Sequence, residues 1–325
     1  MSKGGCKMAK ILTLQEAVTT FIKDGSHIAI GGFCTARNPM ALTYEIIRQG
    51  KKNLHLYVHS HGQAFDLLIG AGSVKRVELA YGGMGRFAST CVRFRKAIQN
   101  VDIEWEDYTN YEMTLRFFAG SLGIPFMVTK TSLGSDVLTK EGFRPETRKE
   151  YKVVRKKLAV MNSPFSDEGD KVVLVPAINA DVAVIHAQYV GEEGTVRIEG
   201  LKFTDVEIAK CADKLVVTCE RIVPEPYLRQ NPDINCLPFF LVDAIVEVPY
   251  GAHPTSCFNS YDYDAQHLNM YRRMAEDDGN FNQYLSEWVY GVSSHNEYVA
   301  RVGIERLLEI KANPAFGFRP GLKRG

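Results

Sequence analysis

Three glycine-bearing segments hold the residues that could do chemistry. Asp24 to Pro39, DGSHIAIGGFCTARNP, runs a short apolar stretch (Ile28, Ala29, Ile30) into Gly31-Gly32-Phe33, and Pro39 falls where a new helix would begin. Paired glycines after a strand let a ligand approach the backbone and leave N–H groups unshielded by a Cβ. Open α/β sheets bind ligands at that edge. The same glycines also make a plain tight turn, and both readings stand at this level. Tyr81-Gly82-Gly83-Met84-Gly85-Arg86 repeats the arrangement, as pocket lining or as a turn. It lacks the spacing and the downstream acid of a dinucleotide fingerprint, and no Walker A loop occurs. His59-Ser60-His61-Gly62 places two histidines at alternate positions of an extended segment. Two such imidazoles could ligate a metal, but no third ligand follows at a recognisable spacing, so a polar loop facing a ligand is preferred.

Other polar residues carry two readings each. Arg37 could hold a carboxylate by a bidentate contact or be a surface arginine at a helix start. Ser132-Leu133-Gly134-Ser135-Asp136 lacks the Gly-x-Ser-x-Gly of a nucleophile elbow, and a helix cap by Ser135 or Asp136 is preferred. His253, in Gly251-Ala252-His253-Pro254, is a general base, a ligand to a substrate carboxylate, or, the preferred reading, a hydrogen-bonded structural residue.

The elements that must position these residues alternate between strand and helix. Thr13-Leu14-Gln15-Glu16 reads as a capping box opening a helix that Gly25 closes. Asn38-Pro39 opens a second helix ending at Gly50. Leu54, Leu56 and Val58 read as a strand, Val74 to Leu79 as another, Tyr111 to Leu122 as a helix stopped by Gly123. Residues 139–170, rich in Lys, Arg and Glu, read as a charged surface excursion of helix plus loop. Strands resume at Val172 to Pro176, Val182 to Ala187 and Leu215 to Val217. Amphipathic helices follow over Tyr261 to Met274, Phe281 to Tyr290 and Glu297 to Ile310, with Leu307, Leu308 and Ile310 free to pack on the sheet or on a partner. The expected fold is α/β, an open, mostly parallel sheet flanked by helices, with a helical carboxyl-terminal region, in a single domain over 1–325.

Of 325 residues, 45% are hydrophobic and 24% charged, and the net charge is +1. That composition builds an ordinary core and disfavours a nucleic-acid or membrane-surface role. Seven scattered cysteines, with no Cys-x-x-Cys, read as reduced thiols of a cytoplasmic protein. The amino-terminal lysines precede no apolar stretch, so no signal peptide is expected.

The combination Asp-Gly, two residues, three apolar residues, Gly-Gly-Phe, five residues, Pro resembles the signature of the α subunits of family I coenzyme A transferases. The usual pattern has a further glycine two residues before the proline. Arg37 stands there, as in the glutaconate branch of the family, which implies a dicarboxylate rather than a short-chain 3-oxoacid. Gly194-Thr195-Val196-Arg197-Ile198, Lys202-Phe203 with Asp205-Val206, Thr218-Cys219-Glu220, Gly251-Ala252-His253-Pro254, Cys257 and Tyr261-Asp262-Tyr263-Asp264 resemble the same branch, so the likeness spans essentially the whole chain.

The resemblance implies transfer of CoA from an acyl-CoA to a free carboxylic acid such as glutaconate. In the family a glutamate attacks the thioester to give a mixed anhydride, which CoA thiolate converts to a glutamyl-CoA thioester, and the second acid reverses the steps. Amide donors stabilise the oxyanions. That glutamate belongs to a β subunit, in a Ser-Glu-Asn-Gly-like motif absent here; Ser286-Glu287-Trp288 is a poor match. The implied role is therefore half a site, with no catalytic residue of its own and no metal or resident cofactor, CoA coming and going with substrate. Its expected substrate-binding residues are Gly31, Gly32, Phe33, Arg37, Ser60, Gln63, Gly82, Gly83 and His253. The alternative is the α subunit of a hydrolase of the same fold that opens cyclic CoA thioesters. Such relatives place an acid before the helix leading to a Pro-Phe pair; counting back from Pro125-Phe126 gives Asn110, with Glu106 and Glu112 beside it, and Ser132 to Asp136 resembles them. A second alternative is a non-catalytic CoA-ester-binding subunit.

Overall fold

The computed structural model describes residues 9–322; Cys6, Lys3 and Lys7 lie outside them. A short strand, β1 (Lys10–Ile11), leads to the capping box. Thr13 Oγ1 accepts the Glu16 N–H at 3.2 Å and Glu16 Oε2 accepts the Thr13 N–H at 2.9 Å, opening α1 (Leu14–Phe21). The helix ends before Gly25, which makes the next turn at φ +76° instead. The chain then alternates through β2 (His27–Ile30), α2 (Met40–Arg48), β3 (Leu54–His61), α3 (Gln63–Gly70), β4 (Val74–Gly82), α4 (Val92–Gln99), β5 (Glu104–Asp107) and α5 (Asn110–Leu122). Thr109 and Glu112 form a second capping box at the start of α5, and Gly123 closes it in the left-handed conformation.

Three short strands follow, β6 (Phe126–Thr129), β7 (Ala159–Asn162) and β8 (Lys171–Pro176), which pair antiparallel in the order β6-β8-β7. The main sheet resumes with β9 (Ala180–Gly191), β10 (Val196–Arg197), α6 (Asp205–Lys210), β11 (Ala212–Val223), α7 (Glu225–Arg229) and β12 (Ala244–Glu247). Its order is β1-β12-β11-β9-β2-β3-β4-β5, every neighbouring pair parallel, with β10 antiparallel on β9. This is the mostly parallel, helix-flanked sheet expected from the alternation of apolar runs and caps.

Alternation along the strands explains the two cores. Ile28, Leu56, Val58 and Val182 point to one face with α1 to α4; Ala29, Tyr57, Ala183 and Ile185 point to the other, under Met113 and Phe117 of α5 and Ile208 of α6. Each buried Val, Leu or Ile side chain among them contributes about 1.5–3 kcal/mol.

The segment 139–170 differs from the expected helix plus loop. It contains a 3-10 turn at Thr147–Lys149 and the strand β7, but no α-helix. Three of its cations pair with acids of β5, and two of them, Arg148 and Lys157, are buried. Arg144 Nε lies 2.8 Å from Glu104 Oε1, Lys157 Nζ 2.9 Å from Asp107 Oδ1, and Arg148 pairs with Glu106.

The carboxyl-terminal helices are α8 (Ala265–Ala275), α9 (Asp278–Leu285), α10 (His295–Val302) and α11 (Ile304–Ile310). Asp264 caps α8 by accepting the His267 N–H at 2.9 Å. A π-helical turn, Ser286–Tyr290, extends α9, and Gly303, at φ +88°, splits the last predicted helix in two. Leu307 and Ile310 pack with Tyr261, while Leu308 is exposed. Among the described residues no helix is long and apolar enough to cross a membrane.

Candidate active site

From β2 the chain crosses α2 to β3 on one side, whereas β9 passes through α6 to β11 on the other, so the strand order reverses between β2 and β9. The crevice at the carboxyl ends of such a pair is where open α/β sheets bind ligands. The Gly31-Gly32-Phe33 turn lies there.

All four amides from Gly31 to Cys34 are already engaged. They donate to Val184 O at 2.8 Å, Asp205 Oδ1 at 2.7 Å, Ala36 O at 2.8 Å and Ser60 O at 2.8 Å, in chain order. The glycines therefore serve close approach rather than free donation. A Cβ on Gly31 would lie 2.8 Å from Ile185 Cγ2 and 3.0 Å from Asp205 Oδ1, and Gly32 turns at φ +94° with Arg37 O 2.7 Å from where its Cβ would be.

Asp205, at the start of α6, ties the turn together. It is fully buried; Oδ1 holds the Gly32 amide and Oδ2 sits 2.8 Å from Arg37 Nη2. Arg37 Nη1 donates to Leu201 O at 2.6 Å. Arg37 is thus neither a surface residue nor an open carboxylate clamp, since its carboxylate partner is Asp205 and its fork braces the 201–205 turn. Phe33 stacks on Phe203 with ring centroids 4.5 Å apart and planes 6° apart, giving the mouth an apolar wall.

β3 runs on to His61, so His59, Ser60 and His61 are strand residues rather than loop residues. Ser60 Oγ donates to Asn110 Oδ1 at 2.9 Å, joining β3 to the first turn of α5. His59 Nε2 lies 3.0 Å from Asn110 O and 2.9 Å from Thr114 Oγ1. Burial lowers the His59 pKa, with the Asn110 bond opposing. His61 Nε2 contacts Gly31 O at 2.9 Å, and burial lowers its pKa to about 4. The two imidazoles are separately committed to backbone and do not form a metal pair. Among the described residues the grouping of metal-ligating types is His186 of β9, Glu220 of β11 and Cys257 of the segment between β12 and α8. Both His186 nitrogens are engaged there, by Thr218 Oγ1 at 2.9 Å and Glu220 Oε1 at 2.8 Å.

The remaining predicted residues stand behind the mouth. Gln63 is fully buried and donates through Nε2 to the Tyr284 hydroxyl at 3.0 Å. Gly82 ends β4 where a Cβ would meet Phe65 Cζ at 2.6 Å, and the Gly83 N–H donates to His61 O at 2.9 Å. His253 is buried, with Nδ1 2.7 Å from the Tyr298 hydroxyl and Nε2 3.2 Å from Asp264 Oδ2. Those bonds are the ones a structural histidine makes. Ser135 makes no capping bond; its Oγ donates to Ser132 O at 2.9 Å, and Ser132 Oγ donates to Glu112 Oε1 at 2.5 Å.

Asp205, Phe203 and Asn110, absent from the residues expected to bind substrate, contact the predicted residues Gly32, Phe33 and Ser60. Asp205 and Phe203 lie in a resemblance motif, but no local spacing ties them to a turn some 170 residues earlier.

The Coenzyme A transferase family matches residues 11–248, and the chain belongs to it. Its type is that of a CoA-transferase α subunit. It is 38% identical, over 96% of its length and 97% of the relative's, to the A-type subunit of glutaconate CoA-transferase from Acidaminococcus fermentans. The crystal structure of that organism's glutaconate coenzyme A-transferase superposes with a TM-score of 0.93, covering 96% of this chain and 98% of the other. The chain is 32% identical over 91% of its length, and 99% of the relative's, to the A-type subunit of 3-oxoadipate CoA-transferase from Pseudomonas knackmussii. It is 26% identical over 91%, and 96% of the relative, to the IpdA component of the cholesterol ring-cleaving hydrolase of Rhodococcus jostii.

Proposed function

We propose that this chain is one half of a two-chain transferase that moves CoA between an acyl-CoA and a free dicarboxylic acid such as glutaconate. A β subunit supplies the glutamate that carries the glutamyl-CoA thioester. The observation that carries this reading is the state of three acids of this chain, Asp205 at the glycine turn and Glu106 and Glu112 on either side of Asn110 in sequence. Asp205 is held by Gly32 and Arg37; Glu106 by Arg148, the Gly142 N–H and the Tyr108 hydroxyl; Glu112 by its cap and Ser132. None of these is free to attack a thioester, which supports a nucleophile supplied by a partner. The same observation disfavours a hydrolase with its base in this chain, as Asn110 has no basic carboxylate and Glu106 and Glu112 are committed to structure.

In this reading the Gly31–Phe33 turn and the Phe33–Phe203 stack form the wall on which the acyl group lies. The Ser60–Asn110 pair faces its polar end. Arg37, Gln63, Gly82, Gly83 and His253 act behind that wall, by holding it in place. CoA enters and leaves as part of the substrates, with no metal or resident cofactor required. The six described cysteines are unpaired, which supports a reducing, cytoplasmic setting.

The test is co-expression with the partner, then CoA exchange between glutaryl-, glutaconyl- and acetyl-CoA and the free acids. Exchange with a higher kcat/KM for the dicarboxylates is expected. Hydrolysis without exchange would overturn the proposal.

A further inference from the structure

The family match ends at residue 248, yet the turn that builds the mouth is braced by residues beyond that point. The Arg37 N–H donates to Ser256 O at 2.7 Å and the Ser256 N–H to Thr35 O at 2.9 Å. The Asn38 N–H donates to Thr255 Oγ1 at 3.1 Å, and the Ala41 N–H to Gly251 O at 2.9 Å. Thr255 is fully buried, and its own hydroxyl donates to Ala252 O at 2.6 Å. The Thr35–Ala41 backbone is thus laced to the 251–256 turn on both sides of the glycine-turn exit.

A second polar network, buried except at Arg306, reaches the start of α3 from the carboxyl-terminal helices. Gln63 Nε2 donates to the Tyr284 hydroxyl of α9, which also meets His267 Nε2 of α8 at 2.9 Å. Tyr44 of α2 meets the Tyr298 hydroxyl of α10 at 3.4 Å, and Tyr298 meets His253 Nδ1. His253 passes to Asp264, which Arg306 of α11 holds with Nε 2.9 Å from Oδ2. Burying polar groups is costly unless they are hydrogen-bonded, and a satisfied buried network fixes the relative placement of the elements it joins. Both helices that leave the mouth, α2 and α3, end up referenced to the same carboxyl-terminal module.

We propose that the segment from Gly251 to Ile310 is a positioning module for the active site, with Thr255 and Tyr284 as its positioning residues. Thr255 sets the Thr35–Pro39 turn, and Tyr284 sets Gln63 and thereby the first turn of α3. Neither touches substrate; each acts through the wall that does. The module's kinetic consequence rests on the transferase reading, but its structural one does not.

The experiment uses the co-expressed holoenzyme carrying Thr255→Val, Thr255→Ser or Tyr284→Phe. Valine keeps the shape of threonine and leaves the Asn38 N–H without an acceptor, whereas serine retains the hydroxyl. Thr255→Val is expected to lower kcat about tenfold with KM for the acyl-CoA within about twofold, since a small misplacement of positioned groups is felt mainly in turnover. Thr255→Ser is expected to restore most of kcat. Amide hydrogen exchange, read by mass spectrometry, is expected to quicken across residues 31–41 in Thr255→Val and across 63–66 in Tyr284→Phe. Unchanged exchange in those segments would overturn the proposal. So would a fall in kcat that serine does not rescue. If the unaltered holoenzyme shows no CoA exchange, the transferase reading fails, and hydrogen exchange alone decides whether the module positions the mouth. Should Thr255→Val fail to assemble, Tyr284→Phe makes the same comparison at α3.

Discussion

Replacing Asp205 by asparagine separates charge from shape at the centre of the site. Asparagine keeps an acceptor for the Gly32 N–H but offers a neutral group to Arg37. Arg37 is 2% exposed, so its guanidinium would remain buried with carbonyl partners and no counter-charge. Breaking a buried ion pair from one side costs about 3–5 kcal/mol. Native stabilities of about 5–15 kcal/mol leave a folded protein in most of that range, with its glycine turn loosened. Urea unfolding followed by circular dichroism reads the loss. The double variant Arg37→Met/Asp205→Asn removes the stranded cation and should lose less than the two single losses summed, by about 0.5–3 kcal/mol. Burial of the pair also predicts little dependence of this cost on salt. A loss below about 1 kcal/mol for Asp205→Asn, or strict additivity, would refute the assignment of Asp205 as the clasp of the turn.

Three further outcomes rest on the same geometry. Ser60→Ala removes the donor to Asn110 Oδ1 at a stability cost of about 0.5–1.5 kcal/mol, and CoA exchange by the holoenzyme should fall more steeply than that cost alone explains; unchanged exchange would remove Ser60 from the site. Gly62→Ala would put a Cβ 2.1 Å from Cys34 O, a backbone atom, so about 1–3 kcal/mol should be lost along with exchange activity, and an unaffected unfolding midpoint would contradict the packing described. Burial raises the Asp66 pKa from 3.8 to about 6, against hydrogen bonds from the Phe94 N–H and the Tyr271 hydroxyl. The folded state then binds this proton more tightly than the unfolded chain. The contribution of Asp66 to stability is greatest below pH 4 and falls by about 3 kcal/mol as pH rises to about 6. The difference in urea stability between the natural protein and Asp66→Asn should change by that amount from pH 4 to 7, since the buried histidines such as His61 titrate alike in both and cancel.

The features legible in the sequence are local ones. The capping residue Thr13, the Gly123 stop and the apolar runs of β2, β3 and β4 announce their elements because caps and alternation act within a few residues, although the matching cap at Thr109, equally local, is not among the signals read from the sequence. The Gly31-Gly32-Phe33 turn is visible for the same reason. Its purpose is not, because the Asp205 carboxylate it admits comes from a helix start on the far side of the strand reversal. Arg37 reads as a surface or substrate-facing cation for want of that partner. Segment 139–170 reads only as a charged surface excursion because Glu104, Glu106 and Asp107, which pair with Arg144, Arg148 and Lys157, lie on an earlier strand. His253 leans towards a structural reading in sequence, but its link through Tyr298 to α2 spans distant helices and leaves no mark in spacing.

The nucleophile of this account is a glutamate of a partner chain, and one measurement addresses it directly. The co-expressed complex would be incubated with acyl-CoA and reduced with borohydride, and both chains examined by peptide mass spectrometry. The account predicts loss of CoA exchange, with one glutamate of the partner reduced to the alcohol and no reduced acid in this chain. Reduction of Glu106, Glu112 or another carboxylate of this chain, or full activity after borohydride, would contradict it.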